Sequence, residues 1–206
     1  MRTRLSRISL IGFCLILVAA VSMQRSSARA EDKPDKGKQN SASTKEVYTG
    51  TAVAIGGQFG GNSRTFTLEI TGNTSDAEAQ QDFQTLQAQG QDALMKAIGK
   101  TKLGFLSFEG QIGRDLNFVQ ETDTEDGRKI VILFERWLKM FEVRNGTRSE
   151  DYPFTYIELF INDKGQGQGS LIGQARVSMD KRHTGTLDVE NFGTYPAKLM
   201  GVELRK

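Results

Sequence analysis

Apolar and polar positions along the chain change period twice. Val47 to Ile55 is rich in Val, Thr and Tyr and stops at Gly56-Gly57, and Thr65 to Ile70 sets Phe66, Leu68 and Ile70 against Thr65, Thr67 and Glu69. A period of two in β-branched and aromatic residues predicts strands. Between them Gly56, Gly57, Gly60 and Gly61 make a flexible loop. From Ser75 the period lengthens: Ala79, Phe83 and Leu86 recur at helical spacing, behind a Ser75/Glu78 capping box with Asp76 and Glu78 at the positive end of the helix dipole. Gly90 interrupts, and a second stripe of Ala93, Leu94, Ala97 and Ile98 stops at Gly99. The spacing predicts helices over 76–89 and 91–98.

The period then returns to two. Strands are predicted over 115–120, 129–135, 154–161, 170–179, 186–190 and 198–204, with turn residues between them. Asp126-Gly127 signals a hairpin, and the unbroken run Ile130 to Phe134 predicts a central strand covered on both faces. The clearest alternation sets Leu171, Gly173, Ala175, Val177 and Met179 inward against Gln174, Arg176 and Ser178. Short, evenly spaced strands predict an α+β domain, mainly antiparallel β, built as a barrel or a two-sheet sandwich with a helical insertion at about 75–99.

The N-terminal segment follows a different pattern. Arg2, Arg4 and Arg7 precede an apolar run from Ile8 to Val21, and Ala28-Arg29-Ala30 ends a polar stretch behind it. That order predicts a secretory signal peptide over 1–30, cleaved after Ala30; the run is shorter than the roughly 20 residues of a membrane span. Residues 31–46 have only alanine as an apolar residue, which predicts a disordered tether, and 47–206 reads as one β-rich domain. An exported protein free in the periplasm or outside the cell is expected, with no stable membrane insertion after cleavage.

Cleavage alters the charge and cysteine counts. The chain has 27 Lys and Arg against 25 Asp and Glu; five of the cations and none of the anions fall in residues 1–30, so the remainder carries 22 against 25, a net charge of −3. A weakly acidic surface gives no reason to expect nucleic acid as partner. The one cysteine, Cys14, lies in the apolar run, so the mature domain has neither disulfide nor thiol chemistry.

Candidate chemistry is sparse. His183 is the single histidine and sits in the hydrophilic turn Asp180 to Gly185, with no Gly-x-Ser-x-Gly elbow in the chain to supply a nucleophile. One histidine and no mature cysteine argue against zinc and similar centres. Thr122 to Gly127 has threonines at calcium-loop positions one and three, and reads as a turn. Gly165-Gln166-Gly167-Gln168-Gly169 precedes a strand and lacks a phosphate loop's Lys-Ser/Thr, which leaves a hairpin connection. No catalytic residue, metal site or cofactor is expected. Glu158, in the apolar strand 154–161, is the carboxylate to watch for hydrolysis, which needs two carboxyls about 5 to 9 Å apart. Trp137, Met140 and Phe141 read as core, and Asn73-Thr74-Ser75 and Asn145-Gly146-Thr147 match the glycosylation pattern.

Four stretches, Tyr48 to Ala52, Gly90 to Leu94, Arg148 to Phe154 and Asn191 to Ala197, together resemble a group of uncharacterised exported bacterial proteins of similar length. The resemblance covers most of the mature domain, implies export and single-domain organisation, and brings no activity, cofactor or site residue. Two functions remain: a non-catalytic binding or scaffold module of the cell envelope, with a protein or small apolar ligand as partner, and a secreted glycosidase-like hydrolase working through carboxylates. For the module, the contact regions expected are the loop with Gly56, Gly57, Gly60 and Gly61, the connection at Asp151 and Tyr152, and that at Phe192 and Tyr195; the aromatics there have the alternative of folding back onto the domain.

Overall fold

Glu46 to Val53 (β1) and Ser63 to Ile70 (β2) pair antiparallel in unbroken register, from Glu46 opposite Ile70 to Val53 opposite Ser63. This hairpin opens a computed structural model that describes residues 45–54, 62–136, 148–180, 186–193 and 195–205. The expected signal peptide, nearly all of the tether, Gly56, Gly57, Gly60, Gly61, Trp137, Met140, Phe141, Asn145 and His183 lie outside the described residues. All described residues fall within one compact unit, Asn40–Lys206, and β1 begins at Glu46.

Two helices follow β2: α1 (Asp76–Gln89) and α2 (Gln91–Ile98). The Ser75 hydroxyl accepts from the Glu78 amide at 3.3 Å while the Ser75 amide donates to Glu78 Oε2 at 3.0 Å, so the reciprocal cap is formed. Gly90 separates the helices with a φ of 84°, a left-handed backbone that disfavours residues with a Cβ. The remaining strands are β3 (Gly104–Phe108), β4 (Arg114–Asp115), β5 (Phe118–Thr124), β6 (Gly127–Glu135), β7 (Phe154–Asn162), β8 (Gln166–Met179), β9 (Leu187–Asn191) and β10 (Ala197–Leu204). They form one sheet in the order β4-β3-β2-β1-β10-β8-β7-β6-β5, with β9 beside β8, and every pairing is antiparallel. The fold is α+β and mainly antiparallel β. It is a single sheet, and that sheet is not closed into a barrel.

The sheet is strongly curled. Strands in a flat sheet lie about 4.8 Å apart, so β1 and β6, four steps apart, would be separated by roughly 19 Å. Arg128 on β6 nevertheless lies 2.7 Å from Glu46 on β1, and one apolar cluster joins Phe66 and Leu68 of β2 to Ile130, Ile132 and Phe134 of β6. The two arms of the sheet therefore face each other across this inner core. The stretch predicted as one strand over 115–120 is interrupted where the arms meet. Leu116 donates its amide to the carbonyl of Gly104 in β3, and Asn117 donates its amide to that of Leu133 in β6, so the chain leaves one arm and joins the other within two residues. Asn117, buried there, satisfies its side chain with the Thr101 carbonyl and the Glu135 amide.

The helices cover the outside of the β5 to β9 arm. Ala79, Leu86, Leu94 and Ile98 pack with Phe118, Leu133, Phe154, Ala175 and Val177 in a second core, with the Phe83 and Phe118 rings 5.8 Å apart. Phe134 faces the inner core and Leu133 the helices, which gives β6 the two covered faces expected of it. The alternation expected in β8 is broken. Phe154 pairs with Ala175 and Tyr156 with Ile172, leaving an extra residue in β8 between the two pairs. Such a bulge reverses which side each later residue faces. Leu171 consequently packs against the inner core, while Ile172, Ala175 and Val177 share the helix-covered side. β3, which the sequence pattern did not predict, continues the sheet beyond β2. Among the described residues no helix is long and apolar enough to cross a membrane.

Candidate binding site

The inward rows of several strands carry charge as well as apolar residues. On β1, Glu46 is in phase with Tyr48 and Ala52; on β6, Arg128 with Ile130 and Ile132; on β5, Glu121 with Val119; on β2, Arg64 with Phe66 and Leu68. Three of these charges meet at one end of the curl. Arg128 Nη2 donates to Glu46 Oε1 and Oε2 at 2.8 and 2.7 Å, and Arg128 Nη1 donates to Glu121 Oε2 at 2.8 Å. Asn73 donates to the other Glu121 oxygen at 2.9 Å. The Tyr48 hydroxyl donates to Glu46 at 2.7 Å and accepts from Arg128, and burial together with the Glu46 carboxylate pushes its pKa well above the ordinary phenol range. The cluster closes that end.

Among the described residues the other end is open. Ala52 pairs with Arg64 on β2 and with Leu199 on β10, and beyond this row the inward side chains shrink to Ala54 and Ala197. A bowl of about 860 Å³ results, with Ala52, Phe108, Leu171 and Ala197 as its apolar wall and Asn62, Arg64, Glu109 and Gln111 among its polar lining. Its volume lies in the range of small-molecule sites. The Ala54 amide donates to the Asn62 carbonyl at 2.9 Å, so the segment bearing Gly56, Gly57, Gly60 and Gly61 leaves and re-enters the described chain at two residues of the bowl.

The other expected contact residues are divided. Tyr152 is buried, its ring 4.9 Å from that of Phe192, and its hydroxyl donates to Glu190 at 2.5 Å. Beneath it the buried Arg136 donates from Nε to the Tyr152 carbonyl and from Nη2 to the Ser149 carbonyl. These two aromatics fold back onto the domain, whereas Tyr195 is 71% exposed and Asp151 is exposed, its carbonyl accepting from Gln91. None of the four lines the bowl.

Glu158 is on the outer side of β7, 2.6 Å from Lys129 on β6 and hydrogen-bonded to Tyr156, whose pKa burial and this carboxylate push above the ordinary phenol range. The Gln166 to Gly169 stretch belongs to β8, with Gly165 in the preceding turn. Among the described residues no group of three or more His, Cys, Asp or Glu is placed to hold a metal. Arg64 and the bowl were absent from the expectations, although the phase of Arg64 with Phe66, Leu68 and Ile70 is visible in the sequence. Comparison of the chain with protein-family models, curated proteins and solved structures finds no match.

Proposed function

We propose that the chain is an exported, non-catalytic binding module of the cell envelope that seats a small ligand in the bowl between β1, β2, β3, β8 and β10. The bowl itself carries this reading: a cavity of small-molecule size, framed by paired strands, sets the apolar side chains of Ala52, Phe108, Leu171 and Ala197 among polar groups that can orient a ligand. The N-terminal pattern of residues 1–30 supports export. The hydrolase alternative has less support. Glu46, one of the two inward carboxylates that approach each other, accepts from Arg128 on both oxygens and from Tyr48, which leaves it no proton to give as a general acid.

Titration with N-phenyl-1-naphthylamine, an uncharged fluorescent probe, tests the reading. The expected result is saturable enhancement that Ala197→Trp, which fills the bowl, abolishes without altering the circular dichroism spectrum. Equal binding by the filled variant, or turnover of a glycoside or ester by the purified protein, would overturn it.

A further inference from the structure

We propose that the ligand of the bowl is an amphiphile with an anionic head, and that Arg64 receives that head. The inference rests on the bowl being the binding site and adds the chemistry of what it takes.

Arg64 lies directly opposite Ala52 in the β1–β2 ladder and two residues before Phe66, so register directs it to the inner side of the sheet, where it is exposed at the edge of the bowl. Of the charged side chains that share that inward phase, Glu46, Arg128 and Glu121 pair with one another at the closed end. Arg64 stands at the other end. It has no ion pair or side-chain hydrogen bond with the described residues, and it borders a cavity instead of solvent alone. A guanidinium presents its donors in a planar fork that matches a carboxylate or phosphate, and among the described residues no other cationic side chain lines the bowl.

The rim also carries a carboxylate, Glu109, in the turn just past the end of β3. Its amide donates to the carbonyl of Thr65 at 2.9 Å, while Phe108 beside it pairs with the inward Phe66. The described lining of the bowl thus sets the apolar side chains of Ala52, Phe108, Leu171 and Ala197 beside a single cation, with Glu109 at the rim. A ligand complementary to the apolar side chains and the cation has an apolar body and a negative end.

Displacement of N-phenyl-1-naphthylamine by four ten-carbon ligands, each below its micelle concentration, tests this: decanoate, decyl phosphate, decanol and decyltrimethylammonium. Decanoate or decyl phosphate should bind about tenfold more tightly than decanol, the size of effect expected for a charge-assisted hydrogen bond, and the cation most weakly. Whichever anion binds more tightly identifies the head. Arg64→Gln should reduce anion affinity to that of decanol and leave decanol unchanged. Equal affinity for decanoate, decyl phosphate and decanol in the unmodified protein, or anion binding indifferent to Arg64→Gln, overturns the anionic head and leaves the bowl standing. Displacement that survives Ala197→Trp for all four ligands removes the bowl as the site, and the proposal with it.

Discussion

Arg128 grips both carboxylate oxygens of Glu46 although three strands separate their own strands in the sheet. A link of that kind opposes flattening of the sheet, because ladder bonds hold only neighbours whereas this contact spans the curl. Arg128→Met should therefore cost about 1 to 3 kcal/mol, below the range for a fully buried pair because the partners retain some exposure. Denaturant unfolding monitored by circular dichroism measures the loss. Adding Glu46→Gln should then cost less than it does alone, since the carboxylate has already lost its cation. Strict additivity would show that the two residues do not act together.

The cap of α1 has its own pH dependence. The Ser75 hydroxyl, and then the Ser75 amide, hold the Glu78 carboxyl below the usual carboxylate range. A depressed pKa stabilises the folded chain above the unfolded carboxylate range, and that contribution is lost as pH falls through the folded value. Ser75→Ala should cost about 1 kcal/mol at pH 7. Thermal melts at successively lower pH should show the gap between variant and parent shrink as pH falls through the folded value, because Glu78 then gains its proton. Asp82 has the opposite sign: burial, and next the Glu78 charge, raise its pKa. Asp82→Asn should therefore stabilise slightly at pH 7, by about 0.3 kcal/mol after solvent screening.

These helices were legible almost to the residue because the signals that define them are local. Ser75, Glu78 and Gly90 act on backbone groups within one turn, and both helices begin and end where their caps require. β3 escaped because its apolar residues do not alternate: Leu106 and Phe108 face the core, while Phe105 is 41% exposed on the other side. The phase of β8 was misjudged at its bulge, which depends on how β7 pairs and leaves no mark in composition. The bowl is harder still to foresee. Arg64 shares its phase with the core in the sequence, but only the curl brings Phe108, Leu171 and Ala197 around it.

Gly127 illustrates a residue whose sequence signal had a different physical cause. The hairpin loop is Glu125-Asp126, since Thr124 pairs with Gly127. Glycine is required one place later, where φ is 140° and a Cβ would lie 2.1 Å from the Ile161 carbonyl oxygen. Gly127→Ala should cost about 2 kcal/mol or more, through both strain and displacement of β7. A variant as stable as the parent in urea would show that β6 and β7 can separate there at little cost.

At high pH the buried phenols set the limit. Tyr48 and Tyr156 keep their protons to higher pH in the folded chain than in the unfolded one. Their neutral forms impose no penalty below roughly pH 10, and stability falls as pH rises beyond it, because unfolding then releases those protons. Absorbance at 295 nm should show part of the tyrosine ionisation delayed until the circular dichroism signal collapses. Tyr156→Phe should shrink that delayed fraction; an unchanged titration would place the hydroxyl in water.

The position of β10 beside β1 bears on how the chain acquires its structure. Thr49 pairs with Glu203, so the first strand of the sheet has β2 on one side and waits on its other side for the last. Contacts between residues so distant in sequence form slowly, because the intervening chain must be ordered before they reward it. Until Ala197 to Leu204 has emerged, β1 and β8 both present unpaired edges, and the curl cannot close over its inner core. A chain synthesised from its N-terminus therefore cannot join the two arms of the sheet until β10 is available to bridge β1 and β8.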